Sequence, residues 1–193
     1  PMPSHLLSGK VVRAKVSSWR RISDDVMPPR VKNISNYRNG QLAAMEAQLD
    51  GYDQAILLNL QGKVAEAPGA CLMLVRGGKL VTPDITQSIL ESITRDTLLR
   101  LARDELGLAT EERPVDRTEL YVADEVFLCG TAAEITPIGE IDRYPIGDGQ
   151  PGPVTRTLER LYHDIVRGID PRRAEWRTPV GLAAAVGTRP GDD

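Results

Sequence analysis

Residues 71–81 read CLMLVRGGKLV: an apolar run of strand length, the turn Arg76-Gly77-Gly78-Lys79, and a second apolar pair, Leu80-Val81. Paired glycines between two apolar runs are a hairpin signal, because a tight hairpin turn needs positive φ at its centre. Residues 55–60 (AILLNL) form another short apolar run upstream. Further back, residues 11–19 (VVRAKVSSW) nearly alternate, with Val12, Ala14, Val16 and Ser18 on one parity and Val11, Arg13, Lys15 and Ser17 on the other, which suits a strand with one buried face. Between these strands Pro28-Pro29 stiffen a loop, and a helix is expected over 37–49 with Leu42, Met45 and Leu49 on one stripe and Gly51 as its stop.

Downstream, the helical spacing of Leu90, Ile93, Leu98, Leu101, Ala102 and Leu106 predicts a helix over about 88–107, with a break near Ser92-Ile93-Thr94 where Ser92 or Thr94 caps a second helix. A short acidic helix is expected over 119–124. A strand follows at 126–129, ended by Gly130 and Thr131, and Ile135, Ile138 and Ile141 continue the strand pattern around Gly139. A Gly/Pro-rich loop at 147–153 leads into an amphipathic helix at 154–166, and residues 181–193 read as a disordered tail. Strands and helices mix without a regular βαβ period, so the fold class is α+β, or an irregular α/β.

The 193 residues are one domain's worth, 41% hydrophobic, with no apolar run approaching the ~20 residues of a membrane helix. Aromatics are only 4%, so Val, Ile, Leu and Ala must build the core. Two cysteines 58 positions apart and two histidines supply neither a disulfide scaffold nor a zinc site. The cysteines read as small apolar strand residues. The net charge of −3 argues against a nucleic-acid protein, although residues 1–32 hold seven Lys/Arg against two Asp. The chain opens Pro1-Met2-Pro3 with no signal-like segment behind it, so a cytoplasmic location is expected. No GxGxxG, P-loop, HExxH or GxSxG signature is present.

What points to a function is an ordered set of segments: Val16-Ser17-Ser18-Trp19-Arg20-Arg21, Lys32-Asn33-Ile34-Ser35-Asn36-Tyr37, Glu66-Ala67-Pro68-Gly69 and Ser92-Ile93-Thr94-Arg95-Asp96. Leu120-Tyr121-Val122-Ala123-Asp124-Glu125-Val126-Phe127 and Gly130-Thr131-Ala132-Ala133-Glu134-Ile135-Thr136-Pro137 complete it. In this order and spacing they resemble the C-terminal two-thirds of a branched-chain amino-acid aminotransferase, a fold-type IV pyridoxal-phosphate enzyme. The resemblance runs from about Gly9 to Val180.

The resemblance implies a cofactor-binding domain built on a barrel-like sheet of mixed strands with flanking helices. It implies pyridoxal 5'-phosphate as cofactor and transamination of branched-chain L-amino acids with 2-oxoglutarate. Lys32 corresponds to the lysine that forms the Schiff base and moves the proton. Tyr37 corresponds to the tyrosine on the ring hydroxylate, and Glu66 to the carboxylate facing the pyridine nitrogen. Ile93 and Thr94 correspond to the backbone pair that binds the phosphate at a helix start, joined by the Thr131 hydroxyl; the Thr131 and Ala132 amides correspond to those that receive the substrate carboxylate. The chain departs from the family pattern at Ala67, Pro68, Ala70, Cys71 and Ser92, around the cofactor; Ser92 stands where glycine is usual.

By the same resemblance, residues 1–31 are an interdomain strand and linker, residues 32–180 the cofactor-binding domain, and an N-terminal domain precedes them in relatives. Three readings stay open: part of an ordinary aminotransferase, one half of a split enzyme whose N-terminal domain is a separate partner, or a non-catalytic binding relative. A homodimer or higher homo-oligomer is expected, with an apolar face where the missing domain docks.

Overall fold

The computed structural model describes residue 4 and residues 6–178. The expected tail over 181–193 lies outside them. Among the described residues eight strands run in chain order: β1 (Val12–Arg20), β2 (Gln54–Leu58), β3 (Cys71–Arg76), β4 (Lys79–Thr82), β5 (Thr110–Glu112), β6 (Glu125–Gly130), β7 (Glu134–Ile141) and β8 (Tyr144–Pro145). Four α-helices accompany them: α1 (Asn36–Leu49), α2 (Ile93–Asp104), α3 (Arg117–Leu120) and α4 (Pro153–Val166). The strands form one mixed sheet in the order β2-β1-β7-β6-β3-β4-β5, with β8 hanging on β7. It is a half-barrel with flanking helices, of the α+β class expected.

The hairpin at 71–82 is as expected: β3 and β4 are antiparallel, with Arg76 opposite Lys79, and Gly77 and Gly78 both have positive φ. The unbroken apolar runs of β3 and β6 have a simple cause, since both faces of the sheet are buried there. Leu72 and Leu74 of β3, opposite Leu128 and Val126 of β6, join one core with Val12, Ala14, Val16, Ile56 and Leu58. Met73, opposite Phe127, faces the other core, closed by Leu98, Leu101 and Ala102 of α2 and Leu158, Leu161 and Ile165 of α4. Cys71 and Cys129 are register partners on that second face, free and buried. Burial pushes the Cys71 thiol up to about 12, so both serve as apolar strand residues.

Three local expectations change. The large residues of α1 are not its buried face: Met45 is 59% and Leu49 87% exposed, while Gly40, Ala43 and Ala47 are buried. Ala43 and Ala47 pack on Ala55 and Leu57 of β2, and Gly40 lies so near the loop before β3 that a Cβ there would be 2.9 Å from Pro68 Cα and O. Small residues let the helix backbone approach closely. The helix expected over 88–107 starts only at Ile93, because Ser92 has φ +53° and cannot continue a helix backward; it caps, accepting from Arg95 N at 3.4 Å. The acidic helix expected over 119–124 is the single turn α3, which begins at Arg117 and already ends at Leu120. Glu125 opens β6, and its buried carboxylate accepts from Val154 N (3.0 Å), Thr155 N (2.7 Å) and Thr155 Oγ1 (2.6 Å), capping α4 from another element. No helix among the described residues is long and apolar enough to cross a membrane.

Candidate active site

A cavity of about 610 Å³ opens at the end of the sheet where β1 and β6 finish and β3 begins. Its walls are the loop before α1 (29–33), the loop 66–71, the segment 90–93 and the turn after β6. Lys32, Tyr37, Glu66, Ile93, Thr131 and Ala132 all line it. Thr94 does not; its side chain is buried and faces an adjoining cavity beyond the start of α2, which shares Ile93 and Thr131 with the first. Residues spread over a hundred positions of sequence thus meet at one sheet end, where strand ends commonly place binding groups.

Lys32 is exposed on the cavity wall and forms no hydrogen bond or ion pair with a described residue. The chain has five lysines. Lys15 pairs with Asp50 (2.5 Å), Lys63 with Asp116 (2.6 Å) and Lys79 with Glu111 (2.5 Å), while Lys10 is exposed at the start of the chain. Lys32 alone among them lines the cavity. Its loop is pinned from behind by Asn36, whose Nδ2 donates to Pro28 O and Val31 O, each at 2.9 Å. Asn36 also places Tyr37 at the first turn of α1, with its half-buried ring on the cavity.

Glu66 is 6% exposed. Its backbone is tied to β2, accepting from Leu57 N at 2.9 Å, and its carboxylate is held at both oxygens. Arg21 Nε lies 2.9 Å from Oε1, and Leu90 N donates to Oε2 at 3.0 Å. Burial raises the Glu66 carboxyl to about 7, with Arg21 and the Leu90 amide opposing that rise. The turn beneath it closes on itself, Ala67 N donating to Ala70 O at 2.9 Å, and Gly40 receives Pro68 from above. Opposite, α2 presents its N-terminus at Ile93, where the first amides of a helix are unsatisfied within it and carry its positive pole. Thr131 and Ala132 are exposed in the turn between β6 and β7. An uncommitted amine, a phenol, a shielded carboxylate and an anion-binding helix end thus surround one concave space.

Arg21, Asn36 and the Leu90 amide are the members of the site to which the sequence alone assigns no role. Arg21 stands inside a motif that carries the resemblance, but only its burial beside Glu66 reveals what it touches.

The comparisons with known proteins agree with one another. A family model described as Amino-transferase class IV matches residues 1–141. A probable branched-chain-amino-acid aminotransferase of Aquifex aeolicus is 50% identical over 176 residues, 91% of this chain and 57% of its own length. The branched-chain amino acid aminotransferase of Thermobaculum terrenum, solved in its PLP form, superposes with a TM-score of 0.92 at 57% identity, covering 94% of this chain and 59% of that one. The branched-chain aminotransferase of the archaeon Thermoproteus uzoniensis, solved with norvaline, gives 0.87 at 44% identity, covering 93% and 59%. The chain therefore spans a little over half the length of these relatives. With the family model matching most of it, the chain belongs to the class IV aminotransferases.

Proposed function

We propose that this chain carries the cofactor-bearing part of a pyridoxal-phosphate-dependent aminotransferase that exchanges amino groups between branched-chain L-amino acids and 2-oxoglutarate. The observation that carries the reading is the convergence of Lys32, the only lysine on the cavity, with the buried Glu66 and the α2 N-terminus. The relatives reported above, named for this activity and solved in one case with this cofactor and in another with an aliphatic amino acid, support the cofactor and substrate classes.

The residues fit pyridoxal 5'-phosphate by the chemistry of their donor set: an amine for the aldehyde, a phenol for the ring hydroxylate, a carboxylate for the ring nitrogen and a helix end for the phosphate. When bound, the cofactor supplies an electron-withdrawing ring that stabilises the negative charge left at the substrate Cα. Lys32 would hold the cofactor covalently between turnovers, and its freed Nζ would take the proton from the substrate Cα. Glu66 would keep a proton on the ring nitrogen, and Tyr37 would donate to the ring hydroxylate. The Ile93 amide with the Thr131 hydroxyl would bind the phosphate, with the Thr94 amide, on the adjoining cavity that shares Ile93 and Thr131, adding to the positive helix end; the Thr131 and Ala132 amides would bind the substrate carboxylate. At the cavity mouth Val31 is 56% and Ile93 89% exposed, an apolar rim suited to an N-terminal domain that would close the site and exclude water. A cytoplasmic homo-oligomer completes the reading.

The test is to mix the chain with pyridoxal 5'-phosphate, record the visible spectrum with and without Lys32→Ala, and assay glutamate formed from L-leucine and 2-oxoglutarate. A visible band lost in Lys32→Ala, with transfer by the chain alone or on adding a relative's N-terminal domain, is the expected result. No Lys32-dependent band at saturating cofactor overturns the reading. A band with no transfer under either condition overturns the catalytic part and leaves a binding protein.

A further inference from the structure

The loop that carries Glu66 runs Ala67-Pro68-Gly69-Ala70-Cys71 and offers its carboxylate no polar side chain other than the buried Cys71 thiol. What holds it here comes from elsewhere in the chain. Arg21 follows directly on β1, its backbone fixed by the 2.8 Å bond from Arg21 N to Leu58 O. Its side chain, like that of Glu66, is only 8% exposed. Nε lies 2.9 Å from Glu66 Oε1, and Nη1 donates to Asn36 O at 3.2 Å. Asn36 is the residue that grips Pro28 O and Val31 O, the second of which immediately precedes Lys32. One buried guanidinium therefore joins the two walls of the cavity, the carboxylate on one side and the lysine loop on the other.

We propose that Arg21 is a positioning residue of this site, holding the Glu66 carboxylate in place and coupling it, through Asn36, to the loop that carries Lys32. The role rests on the aminotransferase reading given above, within which Glu66 meets the cofactor ring and Arg21 acts through it. The charged and titratable groups around Glu66 leave Arg21 without a substitute. Arg30 is engaged with Glu91 at 3.2 Å, Lys32 is exposed across the cavity, Tyr37 is a phenol, and the Cys71 thiol is neutral. Arg20, the adjacent cation, is exposed. Burial already drives Glu66 toward protonation and Arg21 is the first force opposing it, so its loss leaves a carboxyl that stays neutral at physiological pH. A neutral Glu66 no longer favours a proton on the ring nitrogen.

The test uses Arg21→Gln, Arg21→Lys, Glu66→Gln and the Arg21→Gln/Glu66→Gln double variant, with folding checked by far-UV circular dichroism. The first readout needs no cofactor: the Glu66 carboxyl is titrated by ¹³C NMR, with Glu66→Gln assigning the signal. Arg21→Gln should raise its midpoint by about one pH unit or more, and Arg21→Lys, which keeps a cation but loses the fork, by less. The second readout is amino transfer. Arg21→Gln should retain Lys32-dependent cofactor capture yet lose about tenfold or more in kcat with little change in KM for the amino acid. The double variant should be no slower than Glu66→Gln alone, since Arg21 acts through that carboxylate. An unmoved midpoint in a folded Arg21 variant overturns the proposal, as does a double variant whose loss is the product of the two single losses. Should Arg21→Gln not fold, Arg21→Lys carries the same comparison. A wild-type chain that captures no cofactor while the midpoint still moves counts against the aminotransferase reading and leaves the Arg21–Glu66 coupling standing.

Discussion

The burial of Glu66 makes the stability of this chain depend on pH in a direction opposite to that of an ordinary salt-bridged carboxylate. Its carboxyl rises from 4.5 to about 7 on folding because desolvation outweighs the help of Arg21 and the Leu90 amide. A carboxyl with a higher pKa in the folded state binds its proton more tightly there. Its contribution to stability is therefore complete below 4.5 and is lost as pH rises through about 7. At ~1.4 kcal/mol per pH unit, that interval amounts to a loss on the order of 3 kcal/mol. The perturbation is pH itself, with Glu66→Gln as the reference in which this group cannot titrate. Arg21 remains charged throughout, so the unpaired guanidinium of the variant adds an offset that does not change with pH. Urea unfolding of both proteins between about pH 4.5 and about pH 8, followed by circular dichroism, gives the difference directly. The wild type should lose on the order of 3 kcal/mol relative to the variant across that range. Parallel stability curves, or a difference that grows in favour of the wild type with rising pH, would refute the reasoning.

Three further outcomes follow from the packing. Gly40→Ala sets a Cβ 2.9 Å from two backbone atoms of Pro68, which cannot swing aside, so it should cost about 1–3 kcal/mol and weaken cofactor binding through the displaced cavity wall, read by thermal melting and cofactor titration. Glu125→Ala strands the buried Thr155 amide and hydroxyl at the start of α4 and should cost about 2–3 kcal/mol in urea unfolding. Met45→Gln and Leu49→Gln should change stability by no more than about 0.5 kcal/mol each, because neither side chain is part of the core; a loss of several kcal/mol would restore the face expected from the apolar pattern of α1.

That last pair shows where local pattern fails as a guide. A hydrophobic stripe picks out Leu42, Met45 and Leu49, but α1 lies against β2 through Gly40, Ala43 and Ala47, where small size is what matters. Strands are legible where both faces are buried, as in 71–75 and 126–129, or where one face alternates, as in β1. The edge strand β5, reading Thr110-Glu111-Glu112, is not, since its place is set by backbone pairing to β4 rather than by apolar content. The start of α2 depends on one backbone angle at Ser92, at the place where the pattern suggests a break. Within the site, Lys32, Tyr37, Glu66, Ile93, Thr131 and Ala132 follow from resemblance and meet at one cavity, whereas Thr94 sits behind it. Arg21 escapes assignment because its meaning lies in a contact with a residue 45 positions away, formed only when β1 and the loop before β3 come together.

Under the proposed function, Lys32 is the group through which this chain takes pyridoxal 5'-phosphate. Borohydride reduction of the chain incubated with pyridoxal 5'-phosphate, followed by mass mapping of the labelled peptide, tests it most directly. With five lysines to choose among, the label should fall on Lys32 and vanish in Lys32→Ala. Labelling spread over Lys10, Lys63 and Lys79, or unchanged in the variant, would contradict the account.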